Sequence, residues 1–158
     1  MKHVVGVSDM KVTNRPEDEI VTHSLGSCIG VSIYDPVARV GGLLHFQLPT
    51  SKDSPEKAAG NPFMYADTGI PAFFKAAYSL GGEKGRMKVK IAGGASVADK
   101  NDFFQIGNRN YVMVKKLFWK NGVLIDSEDI GGNSWRTMRL EMASGNVWIK
   151  NGKGEYPL

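Results

Sequence analysis

The sequence predicts an α+β protein, a sandwich of mixed or antiparallel β-sheet with two main helices packed on it. Three observations lead there. Strand-like alternation dominates both ends of the 158-residue chain, helical periodicity appears twice between them, and the order is strands, helix, strand, helix, strands. A doubly wound nucleotide fold would instead alternate strand and helix throughout.

Val4 to Val7 read as a first short strand, and Ile20-Val21-Thr22 as a second. Ile29 to Tyr34 form a third, which turns at Asp35-Pro36-Val37-Ala38, where Pro presets φ and Asp bonds the local backbone. The chain returns through Val40 to Phe46 and leaves the hairpin at Leu48-Pro49. Thr50 to Asn61 are polar and rich in Pro, Ser, Lys and Ala, which predicts a mobile loop. Ile70, Phe73, Phe74, Ala77 and Tyr78 then fall on one helical face. Asp67 or Thr68 is placed to cap that helix, Pro71 in its first turn, and Gly81-Gly82 at its end.

Met87, Val89 and Ile91 alternate with Lys88 and Lys90, so this strand has one wet face. The small residues Ala92 to Ser96 lack the Lys-Ser/Thr ending of a phosphate loop and predict a tight turn or close backbone approach. A second helix runs from an Asn108 cap to Asn121, with Tyr111, Val114, Leu117 and Phe118 inward and Gly122 as its stop. Val123 to Ile125 begin another strand. Met138, Leu140 and Met142 alternate along the next, and Ser144-Gly145-Asn146 turns into Val147-Trp148-Ile149. The polar tail from Asn151 is expected to fray.

This length suits one domain over residues 1–158, able to bury about two-thirds of its unfolded surface. A single cysteine cannot form an internal bridge, which fits a reducing compartment. The apolar run at the N-terminus is too short for a signal peptide, and no stretch approaches a membrane span. A soluble cytoplasmic protein is expected. The net charge is +4. Its lysines interleave with core positions as on an ordinary solvated face, which argues against nucleic-acid binding. One cysteine with scattered His3, His23 and His45 makes a poor zinc set, so neither metal nor cofactor is expected.

The chemistry centres on Thr22-His23-Ser24-Leu25-Gly26-Ser27-Cys28 and on His45. Gly26 and Ser27 are small enough for a sharp bend before the strand. An even loop centred between Pro36 and Val37 would set Cys28 directly opposite His45, with Cβ atoms about 5 Å apart. A slip of one residue, which a bulge at Gly41-Gly42 could cause, would separate them onto opposite faces. An isolated thiol has a pKa of about 8.5. An imidazole beside it can take the proton, leaving a thiolate nucleophile, and can later protonate a leaving amine. On residues alone, that pair and a buried, inert cysteine beside a satisfied histidine stand level. His23 alternates away from the predicted face and reads as structural or exposed.

These stretches resemble the chemoreceptor glutamine deamidase family, CheD. The resemblance runs from about Val4 to Lys150. It rests on Thr22 through Cys28, Asp35-Pro36-Val37-Ala38, Leu44 through Pro49, Tyr65 through Thr68, Lys90 through Ser96, Ile106 through Asn110, and Asp129 through Asn133 followed by Arg136. It implies a catalytic set of Cys28, His45 and Thr22, and a fold like the catalytic domain of the cytotoxic-necrotizing-factor toxins. It also implies hydrolysis of glutamine side chains in chemoreceptor cytoplasmic helices to methylatable glutamate, in chemotaxis signalling and adaptation. A CheC-type phosphatase that restrains the enzyme is the implied partner. Backbone N–H groups around Gly26, Ser27 and Cys28 would stabilise the oxyanion, and Thr22 would orient His45. Ordinary strand hydrogen bonding is the alternative for Thr22. A non-catalytic regulator that binds receptor or phosphatase is the alternative for the whole protein.

Overall fold

Two five-stranded sheets frame the computed structural model, which describes residues 1–96 and 104–158. The elements in chain order are β1 (Lys2–Val5), β2 (Asp9–Thr13), β3 (Glu19–Leu25), β4 (Ile29–Asp35) and β5 (Val40–Phe46). Then come α1 (Pro55–Gly60), α2 (Ala66–Ser79), β6 (Lys88–Gly93), α3 (Ile106–Lys120), β7 (Ser127–Ile130), β8 (Arg136–Glu141), β9 (Val147–Asn151) and β10 (Gly154–Pro157). One sheet has the order β1-β3-β8-β9-β10 and the other β2-β5-β4-β6-β7. Both are mixed, because β1–β3 and β6–β7 run parallel while the other pairs are antiparallel. No described helix is long and apolar enough to cross a membrane.

The central strands β4 and β5 are buried on both faces, as their near-continuous apolar sequence requires. Their outer face (Ile29, Val31, Ile33, Leu44, Phe46) packs against Ile70, Phe73 and Phe74 of α2 and Val114 and Phe118 of α3. The inner face, with Leu43, meets Ile20, Leu25, Met138, Leu140 and Ile149 of the other sheet. The expected α+β sandwich is therefore present as three layers: sheet, sheet, helices.

Several expectations shift. The first strand is Lys2–Val5, and a separate strand, β2, lies along β5. The Thr50–Asn61 stretch contains the short helix α1 and is tied down at both ends. Thr50 Oγ1 and the Ser51 amide bond to Asp67 at 3.0 Å, and Asn61 Nδ2 donates to Ser8 O at 3.0 Å. Asp67 thus sits in the first turn of α2 gripping that loop, and because α2 starts at Ala66, Pro71 falls in its second turn. Helix α3 starts at Ile106, two residues before the expected Asn108 cap. Val123–Ile125 is no strand; the strand begins at Ser127 and pairs parallel with β6. The polar tail does not fray but adds β10 to β9 through backbone bonds, which need no apolar side chains.

The hairpin register also differs. Asp35 pairs with Val40 and Gly30 with His45, so the loop is Pro36–Arg39, lengthened by Arg39 at a left-handed φ of 55°. Gly41 and Gly42 stay in register without a bulge. The shift is two residues, and faces repeat every two. Cys28, just outside β4, therefore lies diagonal to His45 on the same face and not directly opposite it.

Candidate active site

The site lies in the layer between the sheets, where β3 bends into β4. The β3–β8 register shifts between Thr22 and Leu25, and Ser24 adopts a φ of 60°. The sharp backbone feature therefore sits at Ser24, two residues before the predicted Gly26. The Gly26 amide donates to Ser24 O at 3.0 Å, which removes it from the expected oxyanion donors. Among the described residues, the Ser27 and Cys28 amides donate to no other backbone carbonyl across the bend.

The bend is held from below. Cys28 O accepts from Gly94 N at 2.9 Å and Gly26 O from Ala95 N at 2.8 Å. This is the close backbone approach predicted for Ala92–Ser96. A Cβ on Gly93 would stand 2.2 Å from Cys28 O, and Gly93 has a φ of 114°, so only glycine fits. Arg136, almost fully buried, donates through Nη1 to Gly93 O at 2.8 Å and Asp129 O at 2.9 Å, and through Nη2 to Gly131 O. On α3, fully buried Asn110 donates through Nδ2 to Ser27 O at 2.9 Å and to Gln47 O at 3.0 Å.

His45 is fully buried on β5. Its Nδ1 lies 2.7 Å from Thr22 Oγ1, and Thr22 Oγ1 donates to Val5 O at 2.7 Å. A threonine hydroxyl has one proton, and a carbonyl can only accept. That proton goes to Val5 O, so Nδ1 must carry the hydrogen of the Thr22–His45 bond. Nε2 is then the bare nitrogen, and it has no partner among the described residues. The neutral tautomer of His45 is fixed with its basic nitrogen free.

Burial lowers the His45 pKa to about 4. Burial also raises the half-buried Cys28 thiol above its ordinary value. At neutral pH the resting pair is a neutral thiol and a neutral imidazole, not the thiolate beside imidazolium expected from an adjacent pair. The reason is that both groups are desolvated and Thr22, being uncharged, adds little to stabilise an imidazolium. His23 is exposed, 3.2 Å from Thr137 Oγ1, and faces away from the site.

Asn110 was not among the expected site residues, although a signal existed. It falls on the buried stripe Gly107, Asn110, Val114, Phe118 of α3. A polar residue at a core position needs partners, and its partners are the bend before Cys28 and the strand end beside His45.

Cysteine, a histidine fixed with one nitrogen bare, and a hydroxyl that fixes it make up the chemical inventory of a cysteine-dependent hydrolase, here on a two-sheet α+β frame. Comparison with known proteins gives the family. A family model described as CheD chemotactic sensory transduction matches residues 47–151. "Probable chemoreceptor glutamine deamidase CheD 1" of Syntrophus aciditrophicus (strain SB) is 54% identical over 151 residues, covering 96% of this chain and 94% of its own. "Probable chemoreceptor glutamine deamidase CheD" of Solibacter usitatus (strain Ellin6076) is 46% identical, covering 95% of this chain and 89% of its own. "Probable chemoreceptor glutamine deamidase CheD 2" of Anaeromyxobacter dehalogenans (strain 2CP-C) is also 46% identical, over 98% and 97%. The chain belongs to the CheD family. The family model begins at Gln47, just past His45, and so does not cover Thr22, Cys28 or His45.

Proposed function

We propose that this protein hydrolyses the side-chain amide of particular glutamines in chemoreceptor cytoplasmic helices, leaving glutamate, as a step in chemotactic adaptation. Cys28 is the nucleophile, His45 the proton carrier and Thr22 the residue that orients it. The observation that supports this most is the Val5–Thr22–His45 hydrogen-bond chain, which leaves a bare base on the same face as the only cysteine.

In this reading Sγ of Cys28 attacks the glutamine Cδ while the thiol proton passes to Nε2 of His45. Because both groups rest neutral, proton transfer accompanies attack and does not precede it. The carbonyl electron pair moves onto oxygen, where the Ser27 and Cys28 amides are the candidate donors. Collapse expels ammonia, which takes its proton from Nε2, and a thioester remains. Water then gives a proton to Nε2 and attacks the thioester carbonyl. The departing Cys28 sulfur recovers that proton, and the receptor keeps a carboxylate.

The test is mass spectrometry of purified receptor cytoplasmic fragments incubated with the protein. Conversion of specific glutamines to glutamate is expected. No conversion across several receptors would overturn the reading and favour a non-catalytic binding role. A CheC-type phosphatase is the proposed restraining partner, occupying the surface around Cys28 and the 50–61 segment that the receptor also needs. Phosphatase added to a receptor complex of Cys28→Ala should displace receptor, whereas a stable ternary complex at undiminished receptor affinity would exclude competition.

A further inference from the structure

We propose that Asn110 is a positioning residue of this site: its side-chain amide clamps the cysteine bend to the histidine strand and so sets the separation of Cys28 and His45. The proposal rests on the deamidase reading for its kinetic consequence, but its geometry stands apart from it.

The two residues that must meet lie where the β4–β5 ladder ends. Cys28 lies beyond the first residue of β4, and the last residue of β5 is Phe46. The ladder that holds β4 to β5 ends at the Ile29–Phe46 pair, so it does not reach Cys28 or Gln47. Beyond that point the Asn110 side chain joins the two segments. One Nδ2 serves both Ser27 O and Gln47 O, at 2.9 and 3.0 Å. Ser27 precedes the nucleophile directly, and Gln47 follows His45 by two. Both acceptors are carbonyl oxygens, so the amide cannot be turned around without setting oxygen against oxygen.

The orientation has a cost. Asn110 Oδ1 is left buried without a partner among the described residues. An apolar side chain on this helical stripe, like Val114 and Phe118, would avoid the unpaired oxygen but leave Ser27 O and Gln47 O without this donor. The unpaired oxygen is the consequence of spending both donor hydrogens on the clamp. Gly107, one turn earlier, lets α3 come close enough for the reach: a Cβ there would stand 2.5 Å from Ala95 O. Misplacing reacting groups by about 1 Å can cost about 100-fold in rate.

The experiment compares wild type, Asn110→Ala and Val114→Ala, the last a core truncation on the same helix that leaves the clamp alone. Two measurements are made on each. The first is receptor deamidation. Asn110→Ala should lose about 100-fold in kcat with KM changed less than about twofold, while Val114→Ala loses stability and keeps kcat. The second is the pH dependence of iodoacetamide alkylation of Cys28, which needs no receptor. A wild-type plateau, absent in His45→Gln and set by His45 taking the thiol proton, should persist in Val114→Ala and vanish in Asn110→Ala. A kcat loss no greater than that of Val114→Ala, or a plateau retained in Asn110→Ala, overturns the proposal. So does the absence of any plateau in wild type, since nothing would then be coupled. Wild type that alkylates with a plateau but deamidates no receptor would overturn the deamidase reading alone. If Asn110→Ala does not fold, Asn110→Asp keeps the shape, retains one donor at most, and is read in the same way.

Discussion

The β4–β5 hairpin has two ends, and they treat buried polar groups in opposite ways. At the turn end, the fully buried Asp35 carboxylate accepts from Val37 N at 2.9 Å, Ala38 N at 3.1 Å and Glu83 N at 2.9 Å, and pairs with Arg86 at 2.9 Å. Burial alone would raise this carboxyl, but Arg86 and the three amides outweigh it and hold it far below the usual carboxylate range. At the open end, His45 Nε2 and Asn110 Oδ1 are buried with no partner among the described residues. One end uses its polar groups to fix shape. The other leaves an acceptor open, which stability alone does not favour and proton transfer requires.

The largest expected effect is at the open end. Cys28→Ala should cut deamidation by about 10,000-fold or more without lowering the melting temperature, checked by receptor turnover and thermal unfolding. Substantial activity in that variant would remove the thiol mechanism. The turn end should give the reverse. Asp35→Asn removes the buried charge that Arg86 pairs with and weakens three amide bonds, and should cost about 3 kcal/mol in urea unfolding while the folded fraction keeps its kcat. Equal damage to kcat would mean that the two ends are not separable.

Acid stability sharpens the contrast. The His45 pKa is lowered from 6.5 to about 4 in the fold, so the unfolded chain binds the proton more readily. Stability from this source is complete above about pH 6.5 and declines as pH falls toward 4, by on the order of 3 kcal/mol. Asp35, whose folded value is lower still, adds its loss only below about pH 4. His45→Gln should flatten the first decline and leave the second. The smallest effect belongs to Thr22→Val, which removes the tautomer lock and keeps the shape. A fall of about 100-fold in kcat is expected, largely recovered in Thr22→Ser, and no fall would return Thr22 to ordinary strand bonding.

Periodicity made the layers readable. The helical stripes at Ile70–Tyr78 and Tyr111–Phe118 and the alternation at Met87–Ile91 and Met138–Met142 are burial patterns, and burial is local in sequence. Register was not local in that sense. It depended on Arg39 adopting a left-handed φ, which an arginine does not advertise, and the hairpin moved by two residues. Cys28 and His45 kept a common face only because two is the period of a strand. Strand β10 was missed because Gly154–Pro157 offers a single apolar side chain to the core, Tyr156, too little for a strand pattern to show. Ser127–Ile130 is polar because it runs at the sheet's edge, so the apolar Val123–Ile125 beside it drew the reading away. The neutral resting state of the cysteine–histidine pair also needed the fold, since it follows from how deeply each group is buried.

Thr22 comes from one sheet and His45 from the other, so the hydrogen bond that fixes the histidine tautomer is itself a contact between the two layers. A chain that has formed either sheet but not docked them lacks the bond and has a freely tautomerising, hydrated imidazole. During synthesis, β8 to β10 emerge last, and they complete the sheet that carries Thr22. The tautomer of His45 is therefore set only once both sheets have formed and docked.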